Sequence, residues 1–395
     1  MSERPNPLAA LLKRQQRRQE LRLARALHPI EWLDATRVRV DGRELINFAS
    51  NDYLGLAADP ELGAAFAAAA ARRGGSGASP LICGYTKAHE ALAGELATWL
   101  GYERVLLFSS GYQCALAVIP ALIGRGALCL MDRLCHACLI DGARLSGAKL
   151  LRYRHLDLGH AETLLAGRPQ QPALIVSDAV FSMDGDEAPL AELAALAARE
   201  RALLLVDDAH GLGVLGPEGR GSVAEAGLAP HAVPLLMDTF GKSFGLAGAF
   251  LAGPAELIEA LLSEARGLIY STAPPPAHAE ALRVALALVR EGEARRQKLR
   301  GLIERFRALA AAWSIPLLPS RTPIQPVLLG DAERALAVSS RLQAMGFLVP
   351  AIRPPTVPAG TARLRVSLSA AHEEAEVEAL ATALAEVLAE GTKPA

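Results

Sequence analysis

Cysteine is scarce in this chain, five in 395 residues and an odd number. That disfavours a disulfide-stapled secreted fold and points to a reducing compartment. Cys135 and Cys138 form a C-x-x-C around His136, but a zinc site needs a second pair at comparable spacing, and none exists. The thiols read as small buried hydrophobes, and no metal is expected. Neither charge is in excess. The 41 basic and 42 acidic residues leave a net charge of -1, which removes any global invitation to nucleic acid or anionic membrane. A long hydrophobic run is also missing, although mean hydropathy is +0.22. The apolar stretch from Cys114 to Met131 is broken by Pro120, Gly124 and Arg125, whereas a spanning helix needs about 20 mostly apolar residues. The N-terminus carries Arg14, Arg17, Arg18, Arg22 and Arg25 without an apolar core and small-residue cleavage site. It reads as an amphipathic helix on a cytoplasmic protein, with an organellar transit peptide as the rival.

What is present suits a large globular protein: hydrophobic residues make up 51% and charged residues 21%. The first ~30 residues read as one helix ending before His28-Pro29. A hairpin follows, Val38 and Val40 before Asp41-Gly42, then Leu45, Ile46 and Phe48. From about 60 to 270, short apolar runs alternate with amphipathic stretches: Val105–Phe108, Ala127–Met131, Ala173–Val176, Leu203–Val206, Leu235–Met237 and Ala249–Leu251. Runs apolar throughout fit strands covered on both faces, hence a large α/β domain around a mainly parallel sheet. Past Pro274-Pro275-Pro276 a long helical stretch reaches Trp313. Strands near Val327, Phe347 and Arg363–Leu368 then mix with helices over 331–344 and 372–389. The expected division is 1–50, a helix and hairpin segment; 51–285, the large domain; and 286–395, a smaller α+β domain.

Lysine is rare too: Lys13, Lys87, Lys149, Lys242, Lys298 and Lys393 are all there are. Five lie in charged or amphipathic surroundings. Lys242 lies in Thr239-Phe240-Gly241-Lys242-Ser243-Phe244-Gly245, after an apolar strand and among small residues. Poor solvation there lowers an amine's pKa and favours its nucleophilic form. A second feature is Leu203-Leu204-Leu205-Val206-Asp207-Asp208-Ala209-His210, a buried strand ending in two carboxylates and a histidine, where ligands of parallel sheets bind. Pyridoxal phosphate needs a carboxylate to keep its ring nitrogen protonated, and Asp207 can supply it while His210 bonds the ring oxygen. Third, Ser109-Ser110-Gly111-Tyr112 follows a strand and opens a helix, a phosphate-binding arrangement to which Thr239 can add a hydroxyl.

Two rival motifs fail. Gly211, Gly213 and Gly216 satisfy the dinucleotide pattern G-x-G-x-x-G, but Pro217, Gly219 and Gly221 follow where a helix should open. Gly241-Lys242-Ser243 resembles the end of a P-loop, but that motif needs glycine at position 236, which is Leu236.

Four segments together resemble the α-oxoamine synthases, pyridoxal phosphate enzymes of fold type I. They are Asn51-Asp52-Tyr53-Leu54-Gly55-Leu56, Phe181-Ser182-Met183-Asp184-Gly185-Asp186, Val206–Gly211 and Thr239–Gly245. The resemblance implies a large domain with a mainly parallel seven-stranded sheet plus the smaller α+β domain. The run Ile352–Arg365, above all Arg353-Pro354-Pro355-Thr356, is most similar to the biotin-pathway branch. Members using glycine or serine differ there.

That resemblance implies roles. Lys242 carries pyridoxal phosphate as a Schiff base and moves the α-proton, Asp207 pairs with the ring nitrogen, and His210 contacts the ring oxygen. His136 stacks on the ring. Gly111, Tyr112, Ser182 and Thr239 line the cofactor, and Thr272 reaches the phosphate of a second subunit, implying a homodimer. Arg365 takes the amino-acid carboxylate, with Arg25, Asn51 and Thr356 as further substrate contacts. The implied reaction is a decarboxylative condensation of L-alanine with a pimeloyl thioester of coenzyme A or an acyl carrier protein. Another α-oxoamine synthase, a lyase or aminotransferase on the same fold, and a silent binding protein are the alternatives. One departure stands out: Gly77-Ala78-Ser79-Pro80-Leu81 brings a proline into a glycine-rich stretch that usually lacks one.

Overall fold

A computed structural model of the chain describes residues 6–20, 24 and 26–390. Helix α1 (Pro7–Glu20) buries none of its side chains. It is shorter than the helix expected to run up to His28-Pro29. Ala24 and residues 26–30 lie outside any helix, and Arg25 falls outside the described residues. With no apolar face packed, only local propensity sustains the helix, and that fades before Pro29. Strands β1 (Glu31–Trp32), β2 (Arg37–Val40) and β3 (Arg43–Asn47) follow. The β2–β3 turn is Asp41-Gly42, with φ of 49° and 77°. Such positive angles match the twist of a two-residue hairpin.

The alternating region folds in chain order as α2 (Pro60–Arg73), α3 (Lys87–Leu100), β4 (Arg104–Phe108), α4 (Gly111–Leu122), β5 (Leu128–Asp132), α5 (Ala137–Ser146) and β6 (Lys149–Tyr153). It continues through α6 (Leu158–Ala166), β7 (Ala173–Asp178), α7 (Leu190–Glu200), β8 (Leu203–Asp207), α8 (Ser222–Glu225), β9 (Leu235–Thr239), β10 (Ala249–Gly253), α9 (Ala255–Glu264) and α10 (Arg266–Ile269). Its strands make a seven-stranded sheet in the order β4-β10-β9-β8-β7-β5-β6. The five strands β9, β8, β7, β5 and β6 run parallel, while β10 is antiparallel to both its neighbours. All five residues of β5 and of β10 are buried, which is why those runs are apolar on both faces. Each fully buried Leu, Ile or Val there contributes about 1.5–3 kcal/mol.

The register sets the site. Asp178 at the end of β7 faces Asp207 at the end of β8, and Asp207 in turn faces Met237 of β9. The carboxyl ends of β5, β7, β8 and β9 therefore share one edge of the sheet.

The rest of the chain begins with α11 (Pro276–Glu291) and α12 (Glu293–Ala312), two helices separated at Gly292 where one long stretch was expected. Then come β11 (Ile324–Gly330), α13 (Ala332–Ala344), β12 (Phe347–Leu348), β13 (Ala351–Ile352), β14 (Ala362–Ser367) and α14 (Glu374–Glu390). Strands β11, β14 and β13 form an antiparallel sheet, and β12 pairs in parallel with β3. Phe48 and Tyr53 join Phe306, Leu364 and Val366 in a second core cluster. Backbone bonds from Ser367 N–H to the Phe48 carbonyl and from Ala370 N–H to the Tyr53 carbonyl, each 2.8 Å, hold segment 48–53 beside β14. No helix among the described residues is long and apolar enough to cross a membrane.

Candidate active site

Lys242 follows β9 in a turn closed by Gly245 N–H donating to the Lys242 carbonyl at 2.9 Å. Gly245 has φ +66° and lies so close to segment 56–57 that a Cβ would come within 2.3 Å of Ala57 N. Only glycine fits there. The Lys242 amine is half-buried and makes no hydrogen bond or ion pair with any other described residue. Burial pulls its pKa down, against the opposing pull of Asp207, Asp238 and Asp178.

The carboxylates are themselves under strain from burial. Asp207 is pushed up from its ordinary value by burial, with Lys242 and the Ala209 N–H opposing. Asp178 is pushed up to about 8 by burial and by the neighbouring Asp207. Asp238 rises well above the usual range through burial and the nearby Asp208 and Asp207, and its Oδ2 is buried without a partner among the described residues. Asp208 is different in kind. Its two oxygens hold Ser222 N–H at 2.5 Å and Ser222 Oγ at 2.6 Å, so it anchors the loop after β8. Among the described residues Asp207 accepts a single hydrogen bond, from Ala209 N–H to Oδ1 at 3.1 Å, which leaves its other oxygen open to a cation.

His136 is the N-cap of α5. Its backbone N–H donates to Asp178 Oδ2 at 2.8 Å, and its Nδ1 accepts from Cys138 N–H at 3.3 Å. The C-x-x-C thus serves a helix cap, with both thiols buried. Burial holds the His136 ring below its usual pKa, against Asp207 and with Lys242. His210 lies beside the same groups and is driven well below the ordinary range by burial, Lys242 and Arg365. Its Nδ1 is 2.6 Å from the Tyr53 hydroxyl. When that hydroxyl donates, the ring hydrogen of neutral His210 sits on Nε2, which has no partner among the described residues.

Arg365 of β14 is 5% exposed, yet among the described residues every hydrogen bond it makes goes to a neutral oxygen. Nε donates to the Ser182 carbonyl at 2.6 Å, Nη1 to Asn51 Oδ1 at 3.0 Å and to Ser367 Oγ at 2.7 Å, and Nη2 to the Tyr53 hydroxyl at 3.5 Å. Arg363, two residues earlier, is already paired with Asp184. A buried guanidinium with only neutral partners is costly and is matched by an incoming carboxylate.

Ser110 caps α4, accepting from Gln113 N–H at 3.2 Å, while Gln113 Oε1 accepts from Ser109 N–H at 2.8 Å. A Cβ on Gly111 would stand 3.7 Å from Thr239 Cβ, so this helix start adjoins the end of β9. The Thr239 hydroxyl gives its one hydrogen to the Gly248 carbonyl at 2.8 Å and accepts from Gly241 N–H at 3.2 Å. Toward an anion, the N–H groups at the start of α4 are therefore the available donors. Tyr112 is exposed and donates to Asp141. Thr272 is exposed, its carbonyl accepting from Ser109 Oγ of the same chain at 3.4 Å.

Of the residues singled out from the sequence, Lys242, Asp207, His136 and His210 converge, with Arg365, Asn51 and Ser182 in one adjoining network and Gly111 beside Thr239. Thr356 does not join them. It is exposed in the loop between β13 and β14, and its described hydrogen bond runs from N–H to the Arg353 carbonyl at 3.0 Å. Asp178, Asp238 and Tyr53 were given no role from the sequence. Asp178 ends Leu174-Ile175-Val176-Ser177-Asp178 just as Asp207 ends its strand, a signal available beforehand. Pro80 opens a short helical turn, Pro80–Gly84, in which Gly84 N–H donates to the Ser79 carbonyl at 2.8 Å. A cavity of about 630 Å³ lies beyond β4 against Leu81, His89, Leu107 and Thr272. It contains neither Lys242 nor Asp207, so the chemistry rather than the cavity size marks the site.

The arrangement fits pyridoxal phosphate: an amine without a partner among the described residues, an open carboxylate oxygen for a protonated ring nitrogen, a helix start for phosphate, and a buried arginine held only by neutral oxygens. A family model of aminotransferase class I and II matches residues 43–384. The 8-amino-7-oxononanoate synthase of Azoarcus sp. (strain BH72) is 55% identical over 351 residues, 89% of this chain and 90% of that protein. A solved structure of SPT with a PLP internal aldimine superimposes with a TM-score of 0.92 at 27% identity, covering 98% of this chain and 100% of that one. The structure of 8-amino-7-oxononanoate synthase from Francisella tularensis gives 0.78 at 28% identity, covering 88% and 99%. The higher TM-score reports backbone shape, which the fold shares widely. The 55% identity is the more discriminating of the two.

Proposed function

The chain belongs to the class I and II aminotransferase family and, within it, to the 8-amino-7-oxononanoate synthases, and from that premise we propose how its residues perform the reaction. The protein condenses L-alanine with a pimeloyl thioester, releasing CO2 and the carrier thiol, and pyridoxal phosphate is its cofactor. When bound, the cofactor supplies an electron sink for negative charge at the amino acid's α-carbon.

Lys242 would hold the cofactor through its Nζ and, once the amine of L-alanine has displaced it, would take and return the α-proton, with burial favouring its neutral form. Asp207 faces the ring nitrogen with its open Oδ2, and a cation there offsets the burial that raises the carboxyl's pKa. His210 turns Nε2–H to the ring oxygen, held by Tyr53 at 2.6 Å. His136 covers the ring, its orientation set by the cap it makes on α5. Gly111, with the backbone at the start of α4, takes the phosphate, with Tyr112 and Ser182 at the rim. Arg365 takes the alanine carboxylate, and Asn51 and Tyr53 aim its fork. The observation that carries this reading is the buried Arg365, with only neutral partners, in the network that reaches His210 through Tyr53.

The protein works as a homodimer in this reading. Leu81, Ile82, Tyr85 and Tyr270 are exposed on or beside two mutually bonded segments, joined by Ala273 N–H to the Ala78 carbonyl at 2.9 Å. Thr272 stands among them, and in this reading it would contact a second subunit's phosphate. Five free thiols suit the cytoplasm. Purified protein should release thiol from a pimeloyl thioester when L-alanine is added, and much less with glycine or L-serine. Equal release with serine would overturn the assignment of alanine. Running the assay with coenzyme A and with acyl carrier protein as carrier identifies the donor.

A further inference from the structure

His155 follows β6, and its side-chain hydrogen bonds reach neither Lys242 nor Asp207. Its Nδ1 is 2.9 Å from Asp132 Oδ1 and its Nε2 is 2.7 Å from Asp186 Oδ2. Only a doubly protonated imidazole donates to carboxylates on both sides at once. Asp132 is a fixed post at the end of β5, fully buried, with its oxygens also holding Leu134 N–H and Leu156 N–H, each at 2.8 Å. Asp186 is the opposite case. Its Oδ1 is buried without a partner, so among the described residues His155 is the only group its carboxylate bonds.

Asp186 closes the turn 181–187: Phe181 N–H donates to its carbonyl at 2.9 Å, and Gly185 N–H donates to the Phe181 carbonyl at 2.8 Å. The Phe181 ring packs edge-on to His155, centroids 4.6 Å apart at 86°. From the other side the turn grips β14. Arg363 pairs with Asp184, and Arg365 Nε donates to the Ser182 carbonyl at 2.6 Å.

We infer that His155, bridging Asp132 and Asp186, is a positioning residue for Arg365: it fixes the 181–187 turn whose Ser182 carbonyl aims the guanidinium, and so sets the affinity for the amino-acid carboxylate. This rests on the reading of Arg365 as the carboxylate site. Burial alone would lower the His155 pKa, but the two carboxylates outweigh it and push it up to about 9, so the bridge stays charged at neutral pH.

The test is steady-state kinetics of the holoenzyme with His155→Gln, which removes the cation, and Asp186→Asn, which keeps a polar partner for His155 but removes the charge. Each is expected to raise KM for L-alanine about five- to twentyfold, a loss of positioning. The kcat, the KM for the thioester and the cofactor content should stay within about twofold of wild type, whereas a purely structural role would lower cofactor content or stability and leave KM for alanine alone. Arg365→Lys run alongside separates the two layers. If it leaves KM for alanine unmoved, the carboxylate reading falls and this inference with it. If it raises KM while both bridge variants do not, this inference alone is overturned. Should His155→Gln fail to fold, Asp186→Asn decides.

Discussion

The charge on His155 makes the stability of this fold depend on alkaline pH in a calculable way. Its pKa is about 9 in the folded protein against 6.5 for an unperturbed ring. The folded state therefore holds the proton more tightly than the unfolded chain, and the gain is complete below the unfolded value and lost as pH rises through the folded one. The full displacement corresponds to about 3 kcal/mol, of which roughly 2.5 kcal/mol remains at pH 7 and almost none at pH 10. Other groups titrate over the same range, so the informative quantity is the difference between wild type and His155→Gln. Denaturant unfolding of both proteins at pH 7 and pH 10 is expected to show that difference narrowing by about 2–3 kcal/mol. A difference that stays constant with pH would refute the bridged imidazolium.

Three further outcomes follow from the site and its frame. Asp207→Asn keeps the shape but loses the charge facing the ring nitrogen, and kcat should fall on the order of a hundredfold or more while Lys242 still binds cofactor; a kcat within threefold of wild type would remove Asp207 from its role. Tyr53→Phe leaves His210 Nδ1 without its 2.6 Å partner, a cost of about 1–3 kcal/mol, and cofactor titration should show roughly tenfold weaker binding. Gly245→Ala forces a Cβ toward Ala57 N at 2.3 Å with φ at +66°; thermal unfolding should shift downward by several degrees at least, and an unchanged midpoint would show the turn to be tolerant.

The strands at the heart of the sheet were readable because burial on both faces makes them apolar without alternation, as in β5, β7 and β8. Strand β6 was not marked out in that way: Lys149-Leu150-Leu151-Arg152-Tyr153 is at the sheet edge with alternating burial, and charges interrupt its pattern. Nothing in Ala249–Gly253 announces that β10 runs against its neighbours, since reversal depends on connections rather than on composition. The helix expected to reach Trp313 breaks at Gly292, whose missing side chain leaves room against the Leu288 carbonyl, which a Cβ would meet at 2.7 Å.

Of the candidate site, Lys242, Asp207, His136, His210 and Arg365 were picked out from the sequence because a lone lysine among small residues, a strand ending in carboxylates and a set of family motifs all mark themselves locally, and the structure brings these residues together. The web of support was not. Asp238 and Asp178 reach Lys242 only through strand register, and His155 meets Asp132 and Asp186 only after three separate segments fold. Arg25 lies outside the described residues, and Thr356 sits in an exposed loop whose contacts give it no tie to the cluster.

The most direct test of the site is the position of the covalently held cofactor. Hydride reduction of the holoenzyme, followed by proteolysis and mass spectrometry, should place the reduced cofactor on the peptide containing Lys242 and on none of those containing Lys13, Lys87, Lys149, Lys298 or Lys393. Reduced cofactor on any other lysine, or a Lys242→Ala variant that still fixes it covalently, would contradict the assignment on which the rest of the chemistry depends.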